Sequence, residues 1–217
     1  MSFGDRILRA AVVVMTLCTL IVTGIVVRRE VAPASPRRPP PEPVAIAPSD
    51  WDLLLTSGHR IGPPNARVTI VEFGDFECPA CASFARRVSQ IRRAHPEDFA
   101  IVYHHLPLDY HQSALPLARA SECAAKQGKF EAFYDLVYAR QRAMLSLPVT
   151  AIADSAGVPD IGSFQKCFAD TTQTAAVDKD MEIAARIRAG STPAILAEGM
   201  LIRRIVDSAF LEGLLRK

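Results

Sequence analysis

Two short stretches set side by side restrict the possible folds more than any other part of the chain. Val68-Thr69-Ile70-Val71-Glu72-Phe73 is β-branched and mostly apolar, as expected of a central strand covered on both faces. After a brief loop, Cys78-Pro79-Ala80-Cys81 opens a segment in which Cys81, Phe84, Val88 and Ile91 recur at helical spacing until Pro96. A second apolar run, Ala100 to Leu106, completes a strand–helix–strand unit and so a parallel pair.

From His111 to Ala189 the pattern is helical. Phe130, Phe133 and Val137 form a stripe, and Gly128 and Gly157 punctuate. Ala194 to Lys217 reads as strand, Glu198-Gly199 turn, strand, then a helix after Asp207. The expected order is therefore βαβ, a helical block over about 111–189, then ββα. This is an α/β chain with a helical insertion.

A cysteine at a helix start meets unpaired backbone N–H groups and the positive end of the helix dipole, which stabilise a thiolate. Pro79 fits the first turn, where a missing N–H costs nothing. Cys78 should therefore attack or be attacked, and Cys81, one turn in and shielded, should resolve. Half a zinc site and an inert disulfide are the competing readings. Cys123 and Cys167 lie singly in helices, which disfavours zinc, and a ring this small constrains little unfolded chain.

The amino terminus is of another kind. Ala10 to Val27 is uncharged and at the threshold length for a membrane span, with Arg6 and Arg9 before it and Arg28 and Arg29 after. We expect a membrane anchor over residues 1–30. Ala32-Pro33-Ala34 allows a cleaved signal peptide instead, but Arg28, Arg29 and Glu30 separate it from the apolar run. Cys18 lacks the small residue that lipid attachment needs before it. Residues 31–50 are crowded with proline, including Pro39-Pro40-Pro41, and read as a semi-rigid spacer before a domain spanning 51–217. The arginines after the span favour a cytoplasmic domain by a positive-inside count. The cysteines outside the span favour an oxidising compartment, and we give them the greater weight.

A net charge of +2, with basic residues scattered among acidic ones, gives no nucleic-acid footprint. His104, His105 and His111 invite a metal, but neighbours on a strand face opposite ways, so His104 and His105 cannot easily share one ion. No metal or diffusible cofactor is expected.

The run from Gly62 through Val68–Phe73 to Gly74-Asp75-Phe76-Glu77-Cys78-Pro79-Ala80-Cys81 closely resembles the DsbA-like thioredoxin-fold proteins. So do Tyr103-His104-His105-Leu106-Pro107-Leu108, Cys123-Ala124-Ala125-Lys126-Gln127-Gly128-Lys129-Phe130 and Ser191-Thr192-Pro193, and the resemblance extends over about residues 58–217. It implies a thioredoxin fold and thiol–disulfide exchange with protein substrates, most readily as a disulfide-forming oxidase on the extracytoplasmic (periplasmic or cell-envelope) side. A reductase or isomerase with the same residues, or a non-catalytic client-binding module, are the alternatives.

The resemblance further implies that Pro193 is a cis-proline facing the cysteine pair, with Thr192 before it, and that both guide substrate. Glu72 matches a buried acid beneath the pair, which burial would give a raised pKa and a proton to exchange with Cys81. Cys123 and Cys167, with 43 residues between them, match a second, structural disulfide; two buried free thiols are the alternative. A membrane partner, either a quinone-linked oxidase or an electron donor, would reset the pair. Two departures stand out. Ala80 replaces the histidine of the best-known oxidants, and the charges of Asp75 and Glu77 should oppose a thiolate, making the pair less oxidising.

Overall fold

A computed structural model describes residues 3–31, 42–172, 174–203 and 206–217. The chain separates into two units. The first holds helix α1, Phe3–Val31, whose residues 3–28 are long and apolar enough to cross a membrane. Its hydroxyls are satisfied internally: Thr16 and Thr19 donate to the carbonyls of Val12 and Met15 at 2.8 and 2.7 Å. A helix that meets its own backbone and hydroxyl needs is compatible with lipid.

The second unit is a thioredoxin fold with a helical insertion. In chain order it runs β1 Val44–Ala45, α2 Pro48–Ser57, β2 His59–Ile61, β3 Val68–Gly74, α3 Pro79–Ala94 and β4 Phe99–His105. The insertion follows as α4 Ala114–Ala125, α5 Phe130–Ala139, α6 Gln141–Met144, α7 Val149–Ser155, α8 Ile161–Ala169 and α9 Ala175–Arg186. β5 Ala194–Ala197, β6 Met200–Ile202 and α10 Ser208–Leu215 close the fold. The sheet order is β1-β6-β5-β3-β4-β2, with β3 and β4 parallel and the remaining pairs antiparallel.

Central β3 is covered on both faces, and its alternation places the site. Ile70 lies in one core with Phe84, Val88 and Ile91 of α3 and Phe133 of α5. Val71 and Phe73 lie in the other, with Leu54 of α2 and Ile183 of α9. By the period of two, Glu72 shares the face of Ile70, under α3. Gly74 is needed at the strand end, because a Cβ there would stand 2.4 Å from the Tyr103 ring. The β5–β6 turn has Glu198 at φ 51° and Gly199 at φ 73°, the left-handed pair that a tight hairpin uses.

The amino-terminal edge of the domain differs from expectation. Pro39-Pro40-Pro41 and half of the spacer lie outside the described residues. The end of the 31–50 stretch, however, is built into the fold. Val44 and Ala45 pair with Leu201 and Met200, and α2 begins at Pro48, before Trp51. A proline in the first helical turn and a two-residue edge strand are compatible with such a composition, since neither needs a long apolar pattern.

Candidate active site

Cys78 is the N-cap of α3 and Pro79 its first residue, so the pair straddles the helix start. The Cys78 carbonyl accepts from the Ala82 N–H at 3.2 Å, and its own N–H donates to the Asp75 carbonyl at 3.0 Å. Gln141 of α6 holds the loop from the other side, its Nε2 donating to the carbonyls of Phe76 and Cys78 at 2.9 and 3.0 Å. Both thiols are free. Cys78 keeps 7% of its surface exposed and Cys81 none.

The two sulfurs have opposite electrostatics. A hydrogen bond from the Cys81 thiol brings Cys78 down to about 5, assisted against burial by Thr192 and by the N–H groups of Cys81 and Ala80. Burial pushes Cys81 well above the ordinary range, and Cys78 and Glu72 add to the effect. One thiol is thus a ready nucleophile and its neighbour a held proton.

Asp75 and Glu77, expected to oppose the thiolate, each have a carboxylate held by hydrogen bonds, and Cys78 is lowered despite them. Asp75 Oδ1 accepts from the Glu77 N–H at 2.7 Å, and its Oδ2 from the Leu108 N–H at 3.0 Å. His111 Nδ1 pairs with the same Oδ2 at 2.7 Å, and Glu77 Oε2 accepts from the Ser113 N–H. Burial lowers His111, yet the hydrogen bond and charge of the Asp75 carboxylate outweigh it and raise its pKa. The Cys81 thiol, with Thr192 and the helix-start N–H groups, outweighs burial at Cys78.

The peptide bond from Thr192 to Pro193 is cis, and the Cys78 thiol donates to the Thr192 carbonyl at 3.6 Å. Glu72 is fully buried, and burial raises it to about 8. The Tyr134 hydroxyl donates to its Oε2 at 2.9 Å, while Oε1 is buried without a hydrogen-bond partner. The structure thus brings Cys78, Cys81, Glu72, Thr192 and Pro193 into one site. Cys123 and Cys167 lie apart from it, bonded to each other between α4 and α8.

Tyr134 and Gln141 are site neighbours that the sequence does not single out, and His111 stands out there only as a metal candidate. Tyr134 lies one residue from the Phe130, Phe133, Val137 stripe, so its presence in the core is readable but its bond to Glu72 is not.

The histidines divide as strand geometry requires. His104 faces Asp180, at 2.6 Å, and the Leu54 carbonyl. His105 Nε2 meets Glu122 Oε1 at 2.8 Å, where His59 Nε2 also arrives at 2.5 Å. These three ligand atoms could hold an ion by spacing alone. A metal on His105 Nε2 would, however, force the ring proton onto Nδ1, which is buried and has no partner. The hydrogen-bonded arrangement, with both rings donating to a carboxylate, leaves no such donor stranded.

Comparison with known proteins agrees with this fold. The family model described as Thioredoxin matches residues 55–217. The chain belongs to the thioredoxin family. Within it, this member has the DsbA-like form, the oxidoreductase class with a helical insertion. It is similar to a thioredoxin-like oxidoreductase from Silicibacter pomeroyi, at 27% identity and a TM-score of 0.63 over 76% of this chain and 95% of that one. It also resembles Pseudomonas aeruginosa DsbA2, at 26% identity and a TM-score of 0.55 over 72% and 91% respectively. Among curated proteins it is 32% identical over 157 residues to a Na(+)/H(+) antiporter NhaA of Herminiimonas arsenicoxydans, covering 72% of this chain. The chain spans only 25% of that antiporter's length.

Proposed function

We propose that this chain exchanges disulfides with extracytoplasmic protein substrates through Cys78 and Cys81, as a disulfide-forming oxidase. The carrying observation is the contrast between the two thiols: Cys78 is lowered to about 5 at the helix start, and Cys81 is buried and raised. In the oxidised state a substrate thiolate attacks Cys78 Sγ, the Cys78–Cys81 bond breaks, and Cys81 leaves with the electron pair. Glu72, protonated at neutral pH, is the acid beneath it that supplies the proton. A second substrate thiolate attacks the substrate sulfur of the mixed disulfide and releases Cys78 as a stable thiolate. The substrate leaves oxidised and the pair reduced. A thiolate that is easily released stabilises the reduced pair, which favours oxidation of substrate as the direction.

Thr192 and Pro193 border the sulfur and are the residues against which a substrate backbone would lie. Helix α1 serves as a membrane anchor, and a membrane-embedded two-electron acceptor resets the pair. Cys123 and Cys167 act as a structural bridge within the insertion.

Trapping tests the roles. In a Cys81→Ala variant given disulfide-bonded substrate, the Cys78 thiolate attacks the substrate disulfide in the reverse exchange and expels one substrate thiolate. With no Cys81 to release it, the Cys78–substrate mixed disulfide should accumulate as a reductant-sensitive adduct. Cys78→Ala should accumulate none. Adducts formed through Cys81 alone would contradict the assignment.

A further inference from the structure

A groove of about 870 Å³ lies beside the cysteine pair, lined by Ala80, Ser83 and Phe84 of α3 and by the loop that carries Thr192 and Pro193. Its floor is apolar and buried, with Phe84, Ile195, Leu201 and Val206 each at most 5% exposed. Its walls carry charge of one sign. Arg87 comes from α3, Arg188 from the turn after α9, and Arg203 follows β6, while the lining contains no acidic side chain among the described residues. Some arginines elsewhere in the domain meet carboxylates, as Arg67 does Asp98, Arg92 Asp135 and Arg186 Asp50, while Arg86 and Arg93 bond serine hydroxyls. Among the described residues the three groove arginines meet none.

We infer that this groove selects extended polypeptide segments that carry acidic side chains beside their reactive cysteine, and that Arg87, Arg188 and Arg203 set this preference. The inference deepens the exchange function proposed above and rests on it only for the covalent step. An apolar floor takes alternate side chains of an extended strand, and cationic walls take the intervening acids and attract them from a distance. Arginine suits the task, because its planar fork pairs with a carboxylate through two hydrogen bonds and is always charged. The groove is lined by Ala80, between the two cysteines, and by Thr192, whose carbonyl is 3.6 Å from the Cys78 sulfur, which favours a polypeptide over a lipid surface as the occupant.

The test uses the full chain in neutral detergent with three synthetic peptides. Each has one cysteine flanked on both sides by Asp and Glu, by Asn and Gln, or by Lys. At low ionic strength the oxidised protein should convert the acidic peptide to its disulfide-linked dimer about tenfold faster than the lysine peptide, a difference that shrinks as salt screens it. The variant R87Q/R188Q/R203Q should treat the three peptides alike while oxidising 2-mercaptoethanol, a small uncharged thiol, at the wild-type rate.

Equilibrium binding of the same peptides with Ser in place of Cys reads the preference without any redox step. Equal binding of acidic and lysine peptides by the wild type would overturn the inference. So would a triple variant that keeps the wild-type preference. Failure of the wild type to oxidise 2-mercaptoethanol would instead overturn the exchange function, and the binding assay would still decide the charge preference. If the triple change abolishes attachment to anionic lipid vesicles and leaves peptide preference intact, the arginines face a membrane and the inference is wrong.

Discussion

Replacing Glu72 by Gln should make the reduced protein more stable, increasingly so as pH rises. The folded carboxyl titrates at about 8, against 4.5 when unperturbed, chiefly because burial disfavours its charge. Its folded pKa is therefore raised, and the folded state keeps a proton that the unfolded chain releases. Stability must fall as pH climbs through this window, by at most about 1.4 kcal/mol per pH unit. Between about pH 5 and about pH 8 the wild type should lose roughly 3 kcal/mol relative to the variant, which carries no charge to bury. For a domain of this size that corresponds to a gap in Tm of roughly 10 °C opening over the range. The substituted glutamine would keep an acceptor for the Tyr134 hydroxyl. Its amide would occupy the unpartnered Oε1 position, so the deficit there is shared and the pH slope isolates the charge. Thermal unfolding of both reduced proteins at several pH values measures the gap. Parallel stability curves for the two proteins would refute the raised pKa, and with it the role of Glu72 as a proton donor to Cys81.

Two other outcomes follow from the fold. Replacing Cys123 and Cys167 together by Ala opens a loop with sequence separation 44 and should cost about 4 kcal/mol in denaturant unfolding, with exchange activity preserved. Loss of exchange without loss of stability would make that bridge a redox relay. A reporter active only outside the cytoplasm, fused after Lys217, should be active, and the protein should sediment with membranes. Cytoplasmic activity of the fusion would overturn both the location and the oxidase direction.

The site is largely legible in the sequence because it depends on local signals. A β-branched run followed by a Cys-x-x-Cys marks both a central strand and a helix start. Parity along that strand carries Glu72 onto the face of Ile70, beneath Cys81. What stays hidden depends on contacts distant in sequence. Tyr134 is 62 residues from the Glu72 it bonds, and Asp180 is 76 residues from His104. Nothing in a helical stripe tells which strand residue it will meet. The edge strands β1 and β2 escape sequence reasoning for a different reason. At two and three residues they are too short to show a period, and proline obscures the first. For Asp75 and Glu77, sequence shows their proximity to Cys78 but not the N–H groups that hold them. Those belong to Leu108 and Ser113, 33 and 36 residues away respectively.

The division of labour between the two thiols is most directly tested by alkylating the reduced protein across pH and following each cysteine by mass. Cys78 should react as a thiolate with a midpoint of about 5, while Cys81 stays unreactive well past neutrality. Equal rates for the two thiols, rising together near the unperturbed value of about 8.5, would contradict the account.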